Sequence, residues 1–142
     1  MKRLPLLLLI PILCAAQLPE EDLQILDVYN QYYFAVTAAE LCGGAEFADD
    51  KEKKKFESNF KKARIEASKA LKRSKPLFTD YDIVKNVQAM DAHSKATLTR
   101  AHEKDGCKND LLRAALKWHA NFRKMPPLPK RACGAPVNLL HY

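Results

Sequence analysis

The chain has 142 residues, with 24 Lys and Arg against 17 Asp and Glu and a formal net charge of +7. That length holds one domain with a real core, not an array of domains. Four glycines leave little scope for tight catalytic turns, and no stretch approaches the roughly 20 apolar residues of a bilayer-spanning helix.

The first sixteen residues have a layout of their own. Met1-Lys2-Arg3 is a short positive start, residues 4–13 are an almost unbroken apolar run, and Cys14-Ala15-Ala16 places small residues ahead of Gln17. This is the pattern of a secretory signal peptide. The remaining chain is therefore expected to be exported, to a periplasm or to the outside of a cell. An acylated Cys14 is disfavoured, because Leu13 stands where a lipoprotein signal carries a small residue. Cleavage after Ala16 leaves 126 residues; Lys2 and Arg3 go with the leader, so 24 bases become 22 against 17 acids, a net of +5.

Helix signals follow in order. The first predicted helix covers residues 19–42. Pro19 suits a first turn, Glu20, Glu21 and Asp22 favour the positive helix end, and Gly43-Gly44 supplies a stop. Ile25, Leu26, Val28, Tyr29, Tyr32, Tyr33 and Val36 form a broad apolar stripe, while Leu23, Phe34 and Leu41 fall near the opposite side. A helix that is apolar on two sides is either central in a bundle or shared with a partner.

The second predicted helix covers residues 50–75, begun by an acidic cap and ended by Pro76. Phe56, Phe60, Ala63, Ala67 and Ala70 share one narrow stripe. Lys51, Lys54, Lys55, Lys61, Lys62, Lys69, Lys72 and Arg73 project from the other side, with Ile65 among them. The third covers residues 80–104, with Thr79 and Asp82 in capping-box positions and Gly106 as the stop. Its stripe is Ile83, Val87, Met90, Leu98 and Ala101. The fourth covers residues 109–125, capped by Asn109, with Leu111, Leu112, Ala115, Leu116, Trp118 and Phe122 inward. Pro126-Pro127 ends it, and residues 126–142 read as an irregular Pro-containing tail.

The fold class is therefore all-α: a cleaved leader at 1–16, a bundle at 17–125 and the tail. Short connections favour antiparallel neighbours, hence a four-helix up-down-up-down bundle. In that topology the first and third helices end at the same end, which brings Cys42 and Cys107 together. The pair closes a 65-residue separation and contributes roughly 4 kcal/mol in the chain-entropy model. Cys133 is then left free or intermolecular, with a pairing back to the bundle as the alternative if the tail folds against it.

Charge is unevenly spread. Residues 17–50 carry eight acids and no Lys or Arg; residues 51–75 carry eleven bases and three acids. Two readings follow: the segments attract each other within one fold, or the second helix shows a basic face to an anionic partner.

Catalytic signals are sparse. His119 lies within the apolar stripe of the fourth helix, where a core histidine with one hydrogen bond is the commoner role. His93 and His102 flank the third helix's stripe, and the three histidines define a metal or hydrolytic reading. No Cys-x-x-Cys, His-x-x-x-His, Gly-x-Ser-x-Gly or glycine-rich phosphate loop accompanies them. Asp49-Asp50 and the Asp80, Asp82 pair sit at helix starts, where capping accounts for them.

The sequence thus predicts a non-catalytic binding or accessory protein with no cofactor and no metal. Its expected partner is another macromolecule, a second copy included, or an anionic envelope component, and not a nucleic acid. The basic face of the second helix, or the surface of Leu23, Phe34 and Leu41, would carry the contact. The alternative is a carrier of a small apolar ligand between helices, lined by Tyr29, Tyr32, Tyr33, Trp118 and His119.

Overall fold

Local capping chemistry sets where the helices begin and end. In the computed structural model, which describes residues 19–127, four α-helices follow one another with short connections. The expected leader and the tail beyond residue 127 lie outside the described residues.

Helix α1 runs Pro19–Cys42. It stops where Gly43 and Gly44 adopt φ of 67° and 74°, a backbone that residues with a Cβ avoid. Helix α2 runs Asp50–Ser74, and the Asp49 carboxylate accepts from the Glu52 N–H at 2.7 Å. Helix α3 runs Asp80–Asp105 behind a complete capping box: Thr79 Oγ1 accepts from the Asp82 N–H, and Asp82 Oδ2 accepts from the Thr79 N–H. A 3₁₀ turn, Gly106–Lys108, leads to α4, Asp110–Lys124, where Asn109 Oδ1 accepts from the Leu111 N–H at 2.9 Å. The predicted ends match these or differ by one residue.

Side-chain pairs fix the topology. Asp22, Tyr29 and Tyr32 of α1 meet Arg73, Phe60 and Phe56 of α2, so the two helices run antiparallel. Tyr32 and Phe34 meet Phe122 and Trp118 of α4, which is antiparallel too. Tyr29, Asn30 and Cys42 meet Asp91, Ser94 and Cys107, so α1 and α3 are parallel. This is the up-down-up-down bundle.

Helix α1 touches all three other helices, which explains its two apolar sides. One side belongs to a large cluster with Val28, Tyr29, Tyr32, Ala35, Phe56, Ala63, Ala67, Ile83, Val87 and Phe122. The other faces a second cluster of Ala38, Leu98, Leu112 and Ala115. Alanines at 63, 67 and 70 are buried and let backbones approach closely. Phe60, expected fully inside, is half-buried at the margin of the large cluster.

Several polar groups inside the bundle are matched, though His119 Nδ1 and Arg123 Nε are buried with no hydrogen-bond partner among the described residues. Ser94 Oγ donates to Asn30 Oδ1 at 2.6 Å, Tyr29 Oη donates to Asp91 at 2.7 Å, and Arg73 grips the buried Asp22 carboxylate at 2.7 and 3.0 Å. Asn59, fully buried, donates from Nδ2 to the Pro126 carbonyl at 2.9 Å. Met125 is buried as well. The chain leaving α4 is thereby fastened to the bundle before the tail begins.

Candidate functional site

The exposed side of α2 is built by the same periodicity that builds its core side. Phe56, Asn59, Ala63, Ala67 and Ala70 turn inward. Residues 51, 54, 58, 61, 65, 69 and 72 then share the outward ridge, by the 3.6-residue repeat. They are Lys51, Lys54, Ser58, Lys61, Ile65, Lys69 and Lys72, and every one is exposed. The ridge is about 30 Å long at 1.5 Å per residue and carries no acid.

The structure divides this face. In the C-terminal half, Lys69 pairs with Glu66 at 2.9 Å, the Lys72 ammonium donates to the Phe78 carbonyl, and Arg73 is committed to Asp22. In the N-terminal half, Lys51, Lys54 and Lys61 have no ion-pair partner among the described residues. Lys55 and Lys62 are half-buried and flank the ridge. The eleven bases of residues 51–75 thus split. Some serve the attraction between segments, as Arg73 does with Asp22, and Lys51, Lys54 and Lys61 form no ion pair among the described residues.

Position on the helix sharpens the contrast. Lys51 and Lys53 fall in the first turn of α2, where the helix dipole disfavours cations by a few tenths of a kcal/mol each, and Lys54 and Lys55 follow directly. Asp49, Asp50 and Glu52 partly offset this, and Asp49 and Glu52 are engaged in the cap. The lysines of this first turn therefore add nothing to the stability of α2 through the dipole.

The expected α1 surface is arranged differently. Leu23 is exposed, but Phe34 and Leu41 are half-buried against the second cluster, with the Phe34 ring 6.3 Å from Trp118. The central position of α1 uses its second apolar side within the bundle. Leu23, Phe34 and Leu41 therefore do not form one open face.

The aromatic residues named for a ligand do converge. Tyr32 is fully buried, stacks on Phe122 at 4.0 Å and on Phe60 at 5.7 Å, and meets Phe56 edge-on at 5.6 Å. Its hydroxyl reaches Met125 Sδ at 3.8 Å. Protein side chains thus fill the space around this ring. Burial pushes the Tyr29 and Tyr32 phenols well above the ordinary tyrosine range, and the Asp91 carboxylate adds to the effect at Tyr29. Tyr33 is raised by the same burial.

His119 is 3% exposed, with its ring 4.8 Å from Phe56 and 5.4 Å from Phe47. Its Nδ1 is buried without a hydrogen-bond partner among the described residues. Desolvation, then the Arg123 guanidinium, push its pKa below 6.5. His93 lines a shallow groove of Leu26, Asp27, Asn30, Met90 and Ser94 between α1 and α3. His102 lies instead beside the Cys42–Cys107 disulfide, whose Cα atoms are 5.7 Å apart. The three histidines thus occupy three separate places. Sequence reasoning placed Cys42 beside Cys107 but did not find His102 next to them, because helix periodicity alone does not say how the turn after the third helix folds back past His102.

Among the described residues, no helix is long and apolar enough to cross a membrane. No family model, no curated protein and no solved structure matches this chain.

Proposed function

We propose that this is an exported, non-catalytic binding protein that lays the outward ridge of α2 along a surface or polymer of repeating anionic groups. The observation that carries the reading is the acid-free ridge, with Lys51, Lys54 and Lys61 exposed and unpaired among the described residues. A straight row of cations suits phosphate or carboxylate groups presented at intervals, as on anionic lipid headgroups or an acidic polysaccharide. Ile65, 46% exposed within the ridge, adds an apolar contact.

Export rests on the charged start, apolar run and small residues of positions 1–16, and on a disulfide of the kind that persists in oxidising compartments. Protein recovered outside the cytoplasm is expected to begin at Gln17; recovery of a chain that still begins at Met1 would remove this part of the proposal.

The test of binding replaces Lys51, Lys54 and Lys61 together with Gln. None contacts the core, so the helical circular dichroism should be unchanged. Binding to phosphatidylglycerol-containing vesicles, or to an acidic polysaccharide, should be strong at low salt and steeply weaker at physiological salt. The triple variant should lose it. Salt-insensitive binding, or equal binding by the variant, would reduce the ridge to a solvated surface.

A further inference from the structure

The end of the bundle where α1 and α3 both finish holds a second chemical cluster. Cys42, Cys107 and His102 bring two sulfurs and an imidazole nitrogen within 4.8 Å of one another. Cys42 and His102 are half-buried, and Cys107 is exposed. Each comes from a different local setting. Cys42 is the last residue of α1, His102 is in the last turn of α3, and Cys107 is in the 3₁₀ turn that follows.

These are the ligand types of zinc: thiolate at about 2.3 Å and imidazole at about 2.0 Å, in tetrahedral geometry. Two sulfurs on such an ion stand about 3.8 Å apart, from the tetrahedral angle and that bond length. The present Cα–Cα distance of 5.7 Å accommodates this by side-chain rotation. Cys107, on a short exposed turn, has room to make that movement. The His102 backbone is already held, its carbonyl accepting from the Gly106 N–H. The spacing between His102 and Cys107 leaves four residues between the ligands, within the range of zinc motifs. Cys42, from a distant part of the chain, completes a set of three and leaves a fourth position for water.

We propose that Cys42, His102 and Cys107 form a Zn²⁺ site when the disulfide is reduced, so that the same two sulfurs close the bundle end either by an S–S bond or by a metal. The interconversion balances. A dithiol reductant supplies two electrons and two protons. Its own sulfurs join, the Cys42–Cys107 bond breaks, and each cysteine sulfur gains a proton. Zn²⁺ then displaces both protons and takes the neutral imidazole of His102. Oxidation excludes the metal, because both sulfurs are then committed to each other. Affinity therefore depends on redox state and on pH, since the ligands must be deprotonated.

The experiment uses the full chain with Cys14→Ser and Cys133→Ser, so that the pair supplies the only thiols. After reduction by a phosphine and anaerobic desalting, the protein is titrated with Co²⁺ and then with Zn²⁺. One equivalent of Co²⁺ should give thiolate-to-cobalt charge-transfer absorption and the visible bands of a tetrahedral site, and Zn²⁺ should displace it. The oxidised protein should show neither. His102→Ala should weaken Zn²⁺ binding at least tenfold and alter the visible bands. No cobalt spectrum in the reduced chain, equal affinity in His102→Ala, or equal binding by the oxidised protein would overturn the site. Far-UV circular dichroism runs in parallel. If the reduced apoprotein loses helix, one equivalent of Zn²⁺ must restore it in the parent chain and fail to do so in His102→Ala; failure in the parent is also a refutation.

Discussion

Tyr32 of α1 and Phe122 of α4 lie ring on ring, 4.0 Å between centroids and 10° between planes. Tyr32 is fully buried and Phe122 is 5% exposed. The stack joins the central helix to the last one and sits beside Phe56 and Phe60 of α2. Phe122→Ala should therefore cost about 3–5 kcal/mol, and Phe122→Leu less than about 1.5 kcal/mol. Urea unfolding followed by circular dichroism measures both. A cost below 1 kcal/mol for the alanine variant would mean that this stack does not organise the core.

Leu112 and Phe60, both on predicted inward stripes, should differ in what they contribute. Leu112 is fully buried and Phe60 only partly. Leu112→Ala is expected to cost about 3–5 kcal/mol and Phe60→Ala about 2–3 kcal/mol, because less of the phenyl ring leaves water on folding. The same urea experiment orders them.

His119 gives stability a pH dependence. Its folded pKa lies below the ordinary 6.5, mainly through desolvation and then through Arg123, with Glu52 opposing. The unfolded chain thus binds the proton more readily than the folded one. The contribution is present in full above pH 6.5 and is lost as pH falls through the folded value. Thermal midpoints should decline from pH 7 to pH 5, and His119→Phe should flatten that decline. Asp82 acts in a separate window. Its carboxyl is held below 3.8 by the Thr79 backbone and hydroxyl hydrogen bonds, so its share persists until pH falls beneath that range.

The Cys42–Cys107 bond closes a separation of 65 residues. Replacing both cysteines with Ser should lower stability by about 4 kcal/mol, chiefly by freeing the unfolded chain. Denaturant midpoints of the native and double-Ser chains provide the check. Equal midpoints would show that the crosslink adds nothing beyond the helix packing.

Local signals carried most of the architecture. Thr79 with Asp82, Asp49, Asn109 and the paired glycines each mark a helix end by chemistry confined to a few neighbouring residues. The disulfide followed because helix parity is a topological rule that needs no distances. What stayed hidden depended on three-dimensional proximity. Ser94 interrupts the apolar stripe of α3, and only the presence of Asn30 opposite explains its burial. Asn59 is buried because the chain after α4 folds back to offer the Pro126 carbonyl. Phe34 and Leu41 looked free for a partner because sequence periodicity alone does not tell a central helix from a shared one. The basic face was legible as a face, but its division was not. Lys69, Lys72 and Arg73 find partners within the bundle, and Lys51, Lys54 and Lys61 form no ion pair among the described residues.

The most direct test of the proposed function asks which part of the molecule meets the anionic partner. Ile65 stands in the middle of the ridge, exposed and flanked by lysines, so its methyl groups report on that face. Methyl and amide NMR spectra are recorded while phosphatidylglycerol nanodiscs or a short acidic oligosaccharide are added at low salt. The account predicts that the Ile65 methyl signals and the amides of residues 51–72 on the outward ridge shift or broaden first, and recover on adding salt. Perturbation centred elsewhere, such as around the exposed Leu23 of α1, with Ile65 unchanged would contradict it.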